Sequence, residues 1–179
     1  MLIKILIALA VILAVFLIVV AMQPDTFRIA RSTAIAAPPE AVFAEVNDYH
    51  RWLAWSPFEK FDPAMQRAFK GPAAGHGAIY EWSGNNQAGE GRATIMESRP
   101  AEVIRIKLEF MRPFAGTNDV EFSFKPEAGQ TVVTWQMTGR YTFLSKAIGL
   151  IVNCERMMKT QFDEGLATLK SIAESPTKS

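Results

Sequence analysis

The sequence holds one cysteine, Cys154, in 179 residues. An internal disulfide framework and a cysteine-based zinc site are therefore excluded. The cysteine count leaves the compartment open, because a reducing cytosol and a periplasm both tolerate a lone thiol. Histidine is nearly as scarce. His50 and His76 are the two in the chain, and a metal site needs three or four convergent ligands, so no metal and no cofactor are expected. Charge of one sign is also missing. Of 19 basic and 18 acidic residues, Lys4 alone falls in the first 23, which leaves 18 of each sign in the rest. A neutral body lacks the basic footprint needed to neutralise phosphates, so no nucleic-acid partner is expected. There is no Gly-x-Ser-x-Gly, no His-Glu-x-x-His and no Walker loop. Gly75-His76-Gly77 and Gly89-Glu90-Gly91 lack a third glycine and read as turns or bulges between strands.

What is present begins with an unbroken apolar run, Ile5 to Met22. As a helix its 18 residues extend about 27 Å, close to the roughly 30 Å hydrocarbon core of a bilayer. Lys4 can snorkel at one end, and Gln23-Pro24-Asp25 stops the helix at the other. Residues 1–23 are read as a retained transmembrane anchor. The competing reading is a cleaved signal peptide, for which Val19-Val20-Ala21 offers a small-residue site, although the run exceeds the usual apolar region of such peptides. Lys4 favours a cytoplasmic amino terminus, whereas Arg28 and Arg31 pull the other way. The expectation is a single-pass protein of the bacterial inner membrane, in contact with lipid through residues 5–22 and with its body facing the periplasm.

The body changes period twice. Phe27 to Ala36 alternates loosely, then Ala37-Pro38-Pro39-Glu40 opens a short helix carrying Ala41, Val42, Phe43 and Val46 to about Asp48. Ser56-Pro57-Phe58-Glu59 has the form of a capping box and predicts a helical turn. After it the period is two. Tyr80 and Trp82, Ala93 and Ile95, Ile104 through Phe110, Val120 through Phe124, and Val133 through Met137 alternate with polar residues. That pattern predicts antiparallel strands with one apolar and one wet face. About seven are expected, including Phe27–Ala36 and a short strand near Gln66–Lys70. Ala147, Ile151, Cys154, Met158, Phe162, Leu166, Leu169 and Ile172 then follow steps of three and four. They predict one amphipathic helix from about Ser145 to Ala173, with Cys154 as a small buried hydrophobe on its apolar face. Residues 175–179 read as a frayed tail.

The stretches AAPPEAVFAEVNDYHRWLAWSPFEKFDPAM, GHGAIYEWSGNNQAGEGRATIMESRP, VEFSFKPEAGQTVVTWQMTGRY and FDEGLATLKSIAE resemble the SRPBCC superfamily of START-like, helix-grip proteins, and within it the bacterial polyketide cyclase/dehydrase-like members. The resemblance covers Phe27 to Ala173. It implies an α+β helix-grip domain over residues 24–174, in which a curved antiparallel sheet of six or seven strands wraps a long C-terminal helix, with two short helices after the first strand. It also implies a cavity between sheet and helix that takes an apolar small molecule.

On that reading the cavity wall comprises Trp55, Tyr80, Trp82, Ile95, Leu108, Asn118, Phe122, Trp135, Met137, Met158 and Phe162. Each of the large side chains has core packing as its alternative role. Trp52 and Trp55 are expected near the mouth, as a gate or against the membrane interface. Glu59, Glu81, Arg92, Glu97 and Asn118 are the polar candidates. Strict alternation puts Glu81 and Arg92 on the wet face, whereas Glu97 shares parity with Ile95 and Asn118 with Val120. Met157 is a further candidate for an adaptable lining. Three functions follow in order: a membrane-anchored module that binds or transfers a lipid, polyketide or isoprenoid-like molecule, a non-catalytic interaction module whose cavity is filled by its own rings, and a cyclase/dehydrase-like enzyme. No catalytic residue is assigned.

Overall fold

The computed structural model describes residues 1–175. The expected tail beyond Ser175 lies outside the described residues. The first helix, α1 (Leu2–Ala21), carries apolar side chains on all sides and is long and apolar enough to cross a membrane. Four residues later the chain enters β1 (Thr26–Ile35). Pro39 stands at the start of α2 (Pro39–Asn47), where a missing N–H costs nothing. A second helix follows directly, α3 (Tyr49–Trp55), whose first turn is capped by the Asp48 side chain accepting the His50 N–H. Tyr49 to Trp55 carried no helical expectation because the segment is too short to display a period.

Six further strands complete the sheet among the described residues. They are β2 (Gln66–Lys70), β3 (Ile79–Ser83), β4 (Glu90–Arg99), β5 (Val103–Arg112), β6 (Gly116–Glu127) and β7 (Gln130–Arg140). All pairings are antiparallel, in the order β1-β7-β6-β5-β4-β3-β2. Ile29, Tyr80, Ala93, Ile95, Ile106, Val120, Phe122, Trp135 and Met137 project from one face into a single core, which α2, α3 and the C-terminal helix cover. The α+β helix-grip architecture is thus present, with its apolar amino-terminal helix outside the core.

The C-terminal segment differs from the expected single helix. It divides into α4 (Phe143–Ile151) and α5 (Cys154–Ala173), separated by extended backbone at Val152. Asn153 starts the second helix afresh, its side chain accepting the Arg156 N–H at 2.9 Å. Cys154 is consequently exposed in the first turn of α5 rather than buried on an apolar face. Met157 is exposed as well. From Met158 onward the expected spacing holds, with Phe162, Leu166 and Leu169 buried.

Gly165 sets how closely α5 approaches the sheet. A Cβ there would stand 2.8 Å from the Trp135 ring and 2.9 Å from Pro57. The helix can therefore lie flat enough for Phe162 to stack on Trp135 with centroids 4.1 Å apart. At its far end α5 is tied to β1. Glu174 accepts the Ala36 N–H at 2.6 Å, and Lys170 donates to the Ala34 carbonyl.

Candidate functional site

Between the sheet and α5 the core is hollow. A cavity of about 220 Å³ lies over β3–β7 and is closed from the other side by α5 and by the 3-10 turn Pro57–Phe61. The interior is not filled solid by its own rings, and that removes the ground for a module with a plugged cavity. The sheet supplies Tyr80, Trp82, Leu108, Trp135 and Met137, and α5 supplies Met158 and Phe162. All seven are among the residues expected on the wall. Their placement follows from the two periods. Odd-numbered residues of β7 and even-numbered residues of β3 and β5 face inward, and Met158 and Phe162 are one helical turn apart.

The other expected residues sit elsewhere. Trp55, Ile95 and Phe122 are wholly buried behind the wall, where Trp55 and Phe122 back Trp135 at centroid distances of 5.8 and 4.9 Å. Asn118 occupies the inner face but lies at the strand end, its side-chain oxygen directly over Gly139 beside the Phe27 ring. Neither Trp52 nor Trp55 stands at a mouth. Both are buried, with indole N–H groups donating to the Val46 and Glu45 carbonyls at 2.8 and 3.1 Å, although the Trp52 ring does reach the cavity. Glu97 points outward. A register shift between Ile95 and Glu97 breaks the alternation, so Glu97 pairs with Arg99 and Arg105 on the wet face. Glu81 lies outside too, against Arg92 and Lys70, and these partners hold its carboxyl below the usual range, Lys70 first.

Several wall residues were not expected. Phe58 and Phe61 come from the 3-10 turn, Met65 from the loop before β2, and Gln87 and Ala88 from the β3–β4 turn. The spacing of Phe58 and Phe61, three apart behind a proline, is the signal that would have marked them as one face of a helical turn. The loop residues have no period and left no such signal. Ser56 precedes this turn without the side-chain cap expected of it, and the Glu59 side chain turns to Tyr80 and Arg67 rather than back to the Ser56 N–H.

Glu59 is the charged group on the wall. One carboxylate oxygen accepts the Tyr80 O–H at 2.6 Å, and the other accepts Arg67 Nε–H at 2.8 Å. Arg67 is fixed in turn by donating to the Met65 carbonyl at 2.9 Å. Burial, and next the hydrogen bond to Glu59, push the Tyr80 phenol well above its ordinary pKa. Arg67 is likewise raised, chiefly by its hydrogen bond to Glu59. The cluster is therefore a neutral phenol on an ion pair whose charge is compensated in place. Trp82 donates its N–H to the Ala88 carbonyl at 3.0 Å, and its ring lies across Gly91, where a Cβ would overlap it. Trp135, packed between Phe122 and Phe162, leaves its N–H without a partner. The arrangement can enclose an apolar body and orient one polar group against Tyr80 and Glu59.

Solved structures share this architecture at low sequence identity. Protein CV1439 from Chromobacterium violaceum superposes with a TM-score of 0.60 at 18% identity, over 86% of this chain and 100% of that one. The Aha1 dimer from Colwellia psychrerythraea gives 0.60 at 15% identity, covering 83% and 96% of the two chains. The di-domain ARO/CYC BexL from the BE-7585A biosynthetic pathway gives 0.63 at 16% identity, over 88% of this chain and 53% of that one. No curated protein sequence matches this chain. Residues 26–174 match the family described as polyketide cyclase/dehydrase and lipid transport. This helix-grip chain belongs to that family.

Proposed function

We propose that residues 24–174 form a domain that binds or transfers a small hydrophobic molecule, and that residues 1–23 hold it to the bacterial inner membrane as a single-pass anchor with the body in the periplasm. The observation that supports the reading is the cavity of about 220 Å³ between sheet and α5, with its aromatic and aliphatic wall. That volume is below the roughly 300–1,000 Å³ of sites for drug-sized ligands, so it suits a compact molecule or one segment of a longer lipid, polyketide or isoprenoid chain. Burying roughly 250 Å² of ligand surface at about 25 cal/mol per Å² supplies about 6 kcal/mol before ordering costs, enough for binding without strong polar chemistry. Tyr80 and Glu59 would fix the orientation of one hydroxyl or carbonyl on the ligand.

A cyclase-type enzyme is the second reading, and the Tyr80–Glu59 hydrogen bond is what favours it. Proton transfer needs a pKa near the working pH. Burial and Glu59 move the phenol away from that range, and both Glu59 oxygens already accept hydrogen bonds. Binding fits this geometry better than acid–base work.

Native mass spectrometry of the full chain, extracted from membranes in detergent, tests the proposal. The wild type should retain an apolar molecule. Leu108→Trp, which puts an indole into the hollow, should reduce that retention at least tenfold while keeping the native near-ultraviolet dichroism, by the rule that about 1.4 kcal/mol is a factor of ten. A wild type that neither retains nor takes up an apolar compound would overturn the binding function. The anchor is checked separately. Full-length protein should stay with membranes through a carbonate wash and keep its first residues, whereas a mature chain beginning at Met22 would remove the anchor.

A further inference from the structure

One end of the sheet collects features that the rest of the body lacks. β1 starts there at Thr26, opposite the end of β7 at Arg140. The β5–β6 loop lies at the same end, since Phe110 pairs with Gly116. The β3–β4 turn joins them, since Ser83 pairs with Glu90 and Glu90 with Arg112. α1 therefore leaves from this end, and α4 and the start of α5 sit beside it. Among the described residues after Asp25, nine large hydrophobic side chains are exposed. Seven belong to this end: Met111 and Phe114 in the β5–β6 segment, and Phe143, Leu144, Leu150, Val152 and Met157 in or beside α4 and α5. Leu53 and Met96 are the two elsewhere.

α4 is built to present an uncharged surface. Phe143 and Leu150 are seven residues apart and share one helical face. Its one ionic side chain, Lys146, is turned underneath and is only 8% exposed, its ammonium paired with Asp25 at the foot of α1. The Tyr141 N–H donates to the Asp25 carbonyl at 2.8 Å, so the foot of α1 and the start of α4 are fastened together. The cavity reaches this end too. Gln87 both lines it and is exposed, and Phe110 and Met158 line it from the neighbouring strand end and the second turn of α5.

An apolar helix face without charge, continuous with an apolar helix of membrane length, has the composition of an element that lies in a lipid interface. We infer that this end of the sheet is a membrane-docking face, in which α4 and the β5–β6 loop rest in the headgroup region beside the anchor and the rim of the cavity at Gln87 opens onto the bilayer. The occupant of the face is the lipid surface itself. The inference rests on α1 being inserted, and it adds that an apolar molecule passes between bilayer and cavity without crossing bulk water.

Site-directed fluorescence on the full chain tests it, with Cys154→Ser removing the native thiol. Single cysteines are introduced by Leu144→Cys and Phe114→Cys on the face, Met96→Cys away from it and Leu9→Cys in α1. All four positions are exposed, so labels do not disturb packing. The labelled chains are reconstituted in vesicles of phosphatidylcholine and phosphatidylglycerol, with and without lipid carrying a nitroxide on its acyl chain. The nitroxide lipid should dim labels at 9, 114 and 144 and spare 96, while aqueous iodide should dim 96 alone. If 9 is dimmed by lipid while 114 and 144 respond to iodide as 96 does, the docking face is refuted and the anchor stands. If 9 is not dimmed by lipid, the anchor fails and this inference with it. If 114 and 144 are shielded from both quenchers, a second copy of the chain covers the face, and that also overturns the proposal.

Discussion

Tyr80 shows how one side chain can define the character of a cavity. It stacks between Phe69 and Trp82 at 5.3 and 5.9 Å and donates a hydrogen bond to Glu59. The chain has three tyrosines, and burial is the leading cause of a raised pKa in each of Tyr49, Tyr80 and Tyr141. In the unfolded chain all three ionise near about pH 10. The folded state keeps protons that the unfolded state has released, so this stability is complete below about pH 10 and is lost as the pH rises toward the folded values. An absorbance titration of native protein should show no full tyrosinate step near about pH 10. Tyr80→Phe should cost about 1.5–3 kcal/mol in denaturant unfolding, the range for a hydrogen bond to a charged group, and a neutral result would mean that Glu59 does not hold the phenol. At this scale, strand parity made much of the wall legible. Tyr80, Trp82, Leu108, Trp135 and Met137 could be read because alternation assigns a face. Alternation does not assign depth, and so Ile95 and Phe122, with the same parity, lie sealed behind the wall. Glu97 escaped the reading because a bulge moves its side chain to the opposite face without leaving a mark in the residue pattern.

Among the elements, the strands were the most legible and the join between α4 and α5 the least. Ile151, Cys154 and Met158 keep steps of three and four across the break, so a periodicity argument passes over two non-helical residues without registering them. What ends the first helix is local chemistry at Asn153, a residue that prefers to cap rather than to continue. Asn153→Ala should therefore destabilise the domain by about 1 kcal/mol, read as a lower midpoint in urea with unchanged slope. A stabilising effect would indicate that the sequence tends toward one continuous helix. The 3-10 turn gives a similar lesson. Its proline start was readable and Glu59 was among the polar candidates, but its partners were not legible, because Arg67 and Tyr80 arrive from β2 and β3.

For the molecule as a whole, the fold was legible because order and period agree across more than a hundred residues, whereas the hollow was implied by the family resemblance alone and takes its size and lining from the placed side chains. Acid stability is a property at this scale. The carboxyls of Asp25, Glu81 and Glu174 are each held below their ordinary values, by Lys146, by Lys70 with Arg92, and by the Ala36 N–H with Lys170. A lowered folded pKa gives stability that is present above the unfolded value of about 4 and is lost as the pH falls through the folded value. Unfolding midpoints should accordingly drop on acidification below about pH 4, and Glu174→Gln should flatten part of that dependence. An acid-insensitive midpoint would contradict these pairings.

The junction between α1 and β1 fixes the reach of the protein. Met22 to Asp25 is four residues, a tether of about 14 Å even when drawn straight, and its last residue is clamped to α4 from both backbone and side chain. With α1 inserted, the domain has no arm with which to cross an aqueous gap. It would travel sideways at a constant altitude, and its traffic in cargo would be two-dimensional, confined to the leaflet beneath it or to a neighbour that comes to it.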